Sequence, residues 1–263
     1  GRAPHPKLYR HCGQNGVAEN MNYADMHCHM LYGVDDGAQD RETSRAVLDA
    51  AYADGTRTIC FTPHCHPGYY GEHTDEALQR YAELRTYAAE RYSDLALYLG
   101  NELHDDPACL SWLDAGTCRT LNGSRYLLVD FSDDVSLYTI TKALDQLLNA
   151  GYTPVLAHTE VYRSLRGDMW TICSLSDSGV ILQLDSQSIM GDFGLGAKRA
   201  ARRLLRHGLA DIVASDAHDM DRRPPRLSAC HAFVAEKYGA AYAGLLFADN
   251  PQRILRDEYI GKD

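Results

Sequence analysis

Residues 25–40 read DMHCHMLYGVDDGAQD, and how this turn is read decides the fold. An apolar run from Tyr23 ends on His27 and His29, and a polar, glycine-containing segment follows with paired carboxylates in Val34-Asp35-Asp36-Gly37. Side chains at i and i+2 of a strand point to the same side, so His27 and His29 can present two imidazoles to one point. Alone, the H-x-H is either half of a metal site or a pair of hydrogen-bonded loop histidines.

Outward from this stretch, short apolar runs alternate with longer amphipathic ones. The runs at 23–27, 56–61, 95–99, 125–129, 153–157, 180–184 and 212–214 read as strands. Each is followed by a helical pattern, at 41–54, 74–92, 107–115, 137–150, 168–178, 196–207 and 226–248. The pairs Asp54-Gly55, Ala150-Gly151 and His207-Gly208 supply helix stops. Seven strand-then-helix units in series predict an α/β chain with a parallel sheet, and the period by itself leaves open whether that sheet is doubly wound or closed. The polar residues favour closure: His27, His29, His64, Glu102, His158 and Ser215 to His218 all fall at or just past strand ends, which a barrel gathers on one rim.

Asp216-Ala217-His218 repeats the i, i+2 geometry with a carboxylate and an imidazole. Glu102 and His158 end other runs, where burial demands a partner or an ion. With Asp36 and His64 the set reaches eight N and O donors, more than one ion takes, which predicts two or three ions of Mn, Fe or Zn character and a bridging carboxylate. Such a cluster lowers the pKa of a bound water and neutralises phosphoryl oxygens during in-line attack. Arg222-Arg223-Pro224-Pro225, just after the Asp-x-His pair, offers guanidinium groups on a stiffened loop, either as a phosphate clamp or as solvated surface.

At 263 residues, 45% hydrophobic and 24% charged, the chain can bury a large core. A net charge of −10 and a pI near 5.6 exclude a general nucleic-acid or anionic-membrane binder, though not a local basic pocket. No run approaches the roughly 18 apolar residues of a membrane span, and the start lacks a signal-peptide core, so no membrane insertion and a cytoplasmic location are expected. Eight scattered cysteines without a C-x-x-C pair, several in apolar runs such as Cys60 and Cys173, read as reduced structural thiols. Residues 1–22 read as a disordered leader or cloning remnant, and residues 23–263 as one domain. The residues six positions after the eight cysteines include no arginine, so no cysteine nucleophile of the phosphatase type is present.

The stretches DMHCHMLYGVDDGAQD (25–40), GTRTICFTPHC (55–65), LGNEL (99–103), TLNGSRYLLVDFS (120–132), GYTPVLAHTEVY (151–162), VASDAHDMDRRPP (213–225) and LFADNPQRIL (246–255) together resemble the polymerase and histidinol phosphatase (PHP) superfamily. More narrowly they resemble the bacterial metal-dependent tyrosine-protein phosphatases encoded with capsular or exopolysaccharide clusters. The resemblance implies a distorted seven-stranded (β/α)7 barrel of PHP type, a trinuclear site favouring Mn2+, and phosphotyrosine on a bacterial tyrosine autokinase as substrate. It implies His27, His29, Asp36, His64, Glu102, His158, Asp216 and His218 as ligands, Glu102 bridging, and Arg223 as a phosphate-binding arginine. One departure stands out: where that family carries a second phosphate-binding arginine, three residues after the position of His158, this chain has Val161, with Arg163 two residues on as a possible substitute or a plain surface residue. His104, two after Glu102, either faces the site or is a solvated loop histidine. The alternatives to a tyrosine phosphatase are a phosphatase of a small ester such as histidinol phosphate and a non-catalytic metal-binding relative.

Overall fold

The computed structural model describes residues 22–69 and 74–260, so the leader expected at 1–22 lies almost wholly outside the described residues. Strand β1 (Tyr23–Asp25) leads through the histidine turn to α1 (Arg41–Ala53), β2 (Thr56–Phe61), β3 (His64–Cys65) and α2 (Thr74–Ala89). Then follow β4 (Ala96–Leu99), β5 (Glu102–His104), α3 (Cys109–Asp114), β6 (Tyr126–Asp130), α4 (Leu137–Asn149), β7 (Thr153–Leu156) and α5 (Met169–Asp177). The chain ends with β8 (Ile181–Asp185), α6 (Ser186–Met190), α7 (Gly194–Arg206), β9 (Ile212–Ala214), α8 (Ser228–Tyr238), α9 (Ala240–Gly244), a π-turn and α10 (Asn250–Leu255).

Every ladder is parallel. Among the described residues the strands form a three-stranded sheet, β1-β2-β4, and a six-stranded sheet, β3-β5-β6-β7-β8-β9, that curls as a half-barrel. The break between the sheets falls just past the ends of two of the expected strands, 56–61 and 95–99, and each is followed by a short further strand that the sequence pattern did not give. Thr62-Pro63 separates β2 from β3, and Gly100-Asn101 separates β4 from β5, where a Cβ on Gly100 would lie 2.9 Å from Leu121. Proline has no N–H for a ladder and Gly100 is pressed against a neighbouring turn, so both strands kink and resume. At the other side, β1 and β9 meet beyond their ends. Cys28 bridges Ala217, Asp216 N–H donates to His27 O at 2.9 Å, His29 N–H donates to Ala217 O at 2.7 Å, and Ser215 donates to Asp25.

The helices form where the sequence period puts apolar residues on one stripe. In α4 the buried set Ile140, Ala143, Leu144 and Leu147 follows the i, i+3, i+4, i+7 spacing, and Ser136 caps the helix by accepting from Thr139 N–H. Asp40 and Asp168 cap α1 and α5 in the same way. Gly55, Gly151 and Gly208 take positive φ at the expected stops. The helical stretches expected at 226–248 are α8 and α9, which meet at Gly239, whose φ of 106° no helix residue adopts. Cys65 and Cys118 are joined in a disulfide, Cα to Cα 5.9 Å, correcting the reading of all thiols as reduced; the apolar runs hid the fact that two distant cysteines meet across the chain. No helix among the described residues is long and apolar enough to cross a membrane.

Candidate metal centre

The eight residues named from the sequence come together in one pocket at the carboxyl ends of the strands. The Nε2 atoms of His27 and His29 lie 3.1 Å apart, and Asp216 Oδ1 is 3.3 Å from each of them. Glu102 reaches four imidazoles: His27 and His158 lie 3.2 Å from Oε1, while His29 at 3.2 Å and His64 at 2.9 Å face Oε2. Asp36 stands at the open side, 3.3 Å from His64 and 3.6 Å from His218. Three groups have ligand atoms within 4.8 Å of one another: His27, His29 and Asp216; His29, Asp36, His64 and His218; and His64, Glu102 and Asp130.

Two second contacts decide what His27 and His29 offer. Gln183 donates its amide N–H to Asp185 Oδ1 at 2.7 Å, so its Oε1 is the acceptor facing His27 Nδ1 at 2.9 Å. Asp35 Oδ2 accepts from His29 Nδ1 at 2.8 Å. With both Nδ1 atoms donating, it is the Nε2 atoms that face each other, and deprotonated there the rings would turn bare lone pairs to one point, an arrangement that fits a cation between them. Burial opposes charge on His29, His64 and His158. The surrounding carboxylates outweigh it: Asp35, Asp216 and Glu102 hold His29 well above its ordinary value, Glu102 and Asp36 push His64 up to about 10, and Glu102 and Asp130 raise His158. The acids move the other way. Burial would raise Glu102, but His27, His64 and His158 hold it well below the usual range, and hydrogen bonds from His218 and His64 lower Asp36. This mixed N and O set suits Mn, Fe or Zn.

Local backbone builds the pocket. His158 and Asp216 sit at φ of 30° and 51°, in the left-handed region that costs non-glycine residues about 1–3 kcal/mol, which the ladders on either side absorb. Gly37 lets the acidic turn lie on the histidine strand: a Cβ there would fall 2.0 Å from His29 O. Asp35 also accepts from Gly37 N–H and from His64 N–H at 3.0 Å each, tying the first turn to β3.

Residues 23–256 match the family described as capsular polysaccharide synthesis, CpsB/CapC. The chain belongs to the CpsB/CapC family. It is 35% identical over 241 residues to the tyrosine-protein phosphatase CpsB of Streptococcus pneumoniae, spanning 90% of this chain and 99% of that protein. It superposes with a TM-score of 0.82 and 29% identity on a crystal structure from work on YwqE from Bacillus subtilis and CpsB from Streptococcus pneumoniae, described as unique metal-dependent tyrosine phosphatases, covering 90% of this chain and 96% of that one. A histidinol phosphate phosphatase from Lactococcus lactis superposes at a TM-score of 0.51 and 14% identity over 87% of this chain and 99% of that one, a likeness of fold alone.

Within this CpsB/CapC chain, Arg223 sits on the rim with Nη1 3.0 Å from Asp216 Oδ2 and 3.2 Å from His218 Nε2, and its side chain is 42% exposed. Its loop is shaped by Asp219, whose Oδ1 accepts from the N–H groups of Asp221, Arg222 and Arg223. Val161 packs against the core instead of reaching the pocket. Arg163 is exposed, and among the described residues no hydrogen bond or ion pair joins it to the cluster. His104 does approach: its Nδ1 lies 2.9 Å from Asp130 Oδ2.

Sequence reasoning missed Asp130, whose Oδ1 is 3.5 Å from His158 Nε2 and accepts from Tyr162 Oη at 3.2 Å. Its signal was present, a carboxylate closing the apolar run Tyr126 to Val129, as Glu102 closes its own. Asp35 and Gln183 were invisible as orienting groups, because only the folded chain shows which polar atom stands behind each imidazole.

Proposed function

We propose that this protein is a metal-dependent protein-tyrosine phosphatase whose ligands are His27, His29, Asp36, His64, Glu102, His158, Asp216 and His218, with Asp130 as a further carboxylate. The observation that carries this reading is the pair of buried imidazoles whose Nε2 atoms face each other at 3.1 Å with their Nδ1 atoms held from behind. In this reading the two parallel sheets act as one distorted seven-stranded barrel of PHP type, β2 continuing into β3 and β4 into β5, with the bridge between Cys28 and Ala217 joining first strand to last. Bound cations at such a cluster, Mn2+ in first place, activate water and neutralise phosphoryl charge.

The chain's own groups do the rest. Glu102 reaches four imidazoles through its two oxygens and is the carboxylate that would be shared between ions held there. Gln183 and Asp35 hold ring orientation, so little reorganisation accompanies the reaction. Arg223 sits beside Asp216 and His218 with a partly exposed guanidinium, able to turn a fork of donors toward the oxygens of a phosphate bound at the cluster. The phenolate leaving group, with a pKa near 10, needs less protonation than an alkoxide would. The substrate is phosphotyrosine on a protein of capsule or exopolysaccharide synthesis, a tyrosine autokinase in the reading that the family context favours. Metal analysis of the purified protein, coupled to hydrolysis of a phosphotyrosine peptide with and without chelator, tests this. Bound metal and chelator-sensitive hydrolysis are expected; turnover unaffected by complete metal removal sinks it.

A further inference from the structure

Beside the cluster, four aromatic side chains form a continuous wall of ring contacts. The His66 ring lies between two others, 4.7 Å from His104 at 30° and 4.6 Å from Tyr69 at 24°, with Trp112 of α3 at 6.2 Å and 54°. The inner end is anchored: His104 Nδ1 bonds Asp130, which belongs to the same group of possible ligands as His64 and Glu102. The outer end is open, with Tyr69 78% exposed. The two halves of the wall are pinned together, since Cys65, between His64 and His66, is bonded to Cys118 just past α3. Trp112 packs partly on the core, whereas His66 and His104 are half-buried and Tyr69 is exposed. Arg223, on the rim beside Asp216 and His218, lies 5.6 Å from the Phe193 ring.

We propose that the wall of His66, His104, Tyr69 and Trp112 is an aromatic-ring subsite that selects aryl over alkyl phosphate monoesters. The proposal rests on the tyrosine-phosphatase reading and names how that substrate is chosen. A phosphoryl group held at the cluster leaves its ester substituent pointing outward along this wall. A phenyl ring there meets ring edges and faces at centroid separations of 4.5–7 Å, the range in which aromatic pairs attract beyond the area they bury. A short alkyl chain gains no such term, so the wall discriminates by ring electrostatics. The bond broken is unchanged; only the population of correctly placed esters differs.

The test compares kcat/KM for one peptide carrying phosphotyrosine with the same peptide carrying phosphoserine, in the metal-loaded wild type and in His66→Ala, Tyr69→Ala and His66→Phe. The ratio between the peptides should fall about three- to tenfold in the two alanine variants, chiefly through KM for phosphotyrosine, and be restored in His66→Phe. Trp170→Ala, an exposed aromatic at the start of α5, should leave the ratio unmoved. Tyr69 is exposed enough that its variant will fold even where His66→Ala does not. Wild-type preference for phosphotyrosine with an unchanged ratio in both alanine variants overturns the subsite alone. A metal-loaded wild type that cleaves neither peptide overturns the phosphatase reading, and the subsite with it.

Discussion

Asp35 Oδ2 lies 2.8 Å from His29 Nδ1, on the side of the ring away from the cluster, while its neighbour Asp36 stands at the front, 3.3 Å from His64. Two adjacent carboxylates thus take opposite jobs, one orienting a ligand and the other offering itself as one. Asp35→Ala removes the acceptor that fixes the His29 tautomer. Metal affinity should drop about 10- to 100-fold, the usual effect of losing an outer partner, read by titration of the metal-free protein. An unchanged affinity would mean that His29 is oriented by something else.

Arg223 touches the cluster but belongs to no group of possible ligands. Arg223→Ala should fold and bind metal normally yet lose about 10- to 100-fold in kcat/KM on a phosphotyrosine peptide, the scale of one charged hydrogen bond at about 1.5–3 kcal/mol. Equal activity with wild type would remove the clamp role.

Proton and metal compete for the same imidazoles. His64, raised from 6.5 to about 10 by Glu102 and Asp36 against the opposing effect of burial, stabilises the metal-free fold fully below pH 6.5, and loses that contribution as pH rises through about 10. His29 and His158 shift the same way. The chelated protein should therefore lose thermal stability from pH 7 to 10. The increase in Tm on adding metal should grow over the same interval, because ligation needs neutral imidazole. Scanning calorimetry from pH 6 to 10 with chelator or Mn2+ reads both, and a chelated Tm that climbs with pH contradicts the assignment.

Gly37 presses on the backbone of His29, so Gly37→Ala must push the acidic turn away. The loss should fall on metal binding and on stability, by about 1–3 kcal/mol as for an overpacked interior site. Denaturant unfolding with parallel metal analysis measures it; normal values for both would show that the turn yields freely.

The bond between Cys65 and Cys118 closes a sequence separation of 53, worth about 4 kcal/mol in the loop-entropy account. Under non-reducing denaturing conditions, six of the eight cysteines should titrate as thiols, and Cys118→Ser should lower the Tm. Eight titrating thiols would show the pair to be reduced.

The order of strands and helices, the helix stops at Gly55, Gly151 and Gly208, and the eight candidate ligands were all legible in the residues, because period, glycine backbone freedom and polar side chains closing apolar runs are local properties. Folding alone decided the rest. That the chain resumes as β3 and β5 beyond the kinks at Thr62-Pro63 and Gly100-Asn101 was not legible, since strands of two and three residues leave no period to read and Leu121 crowds the glycine only once the chain is packed. That Asp130 joins the cluster, that Gln183 stands behind His27, and that Val161 turns to the core depend on which distant atoms meet. A sequence states which donors exist; the direction of each lone pair comes from contacts between residues far apart in the chain, such as His27 and Gln183, separated by 156 positions.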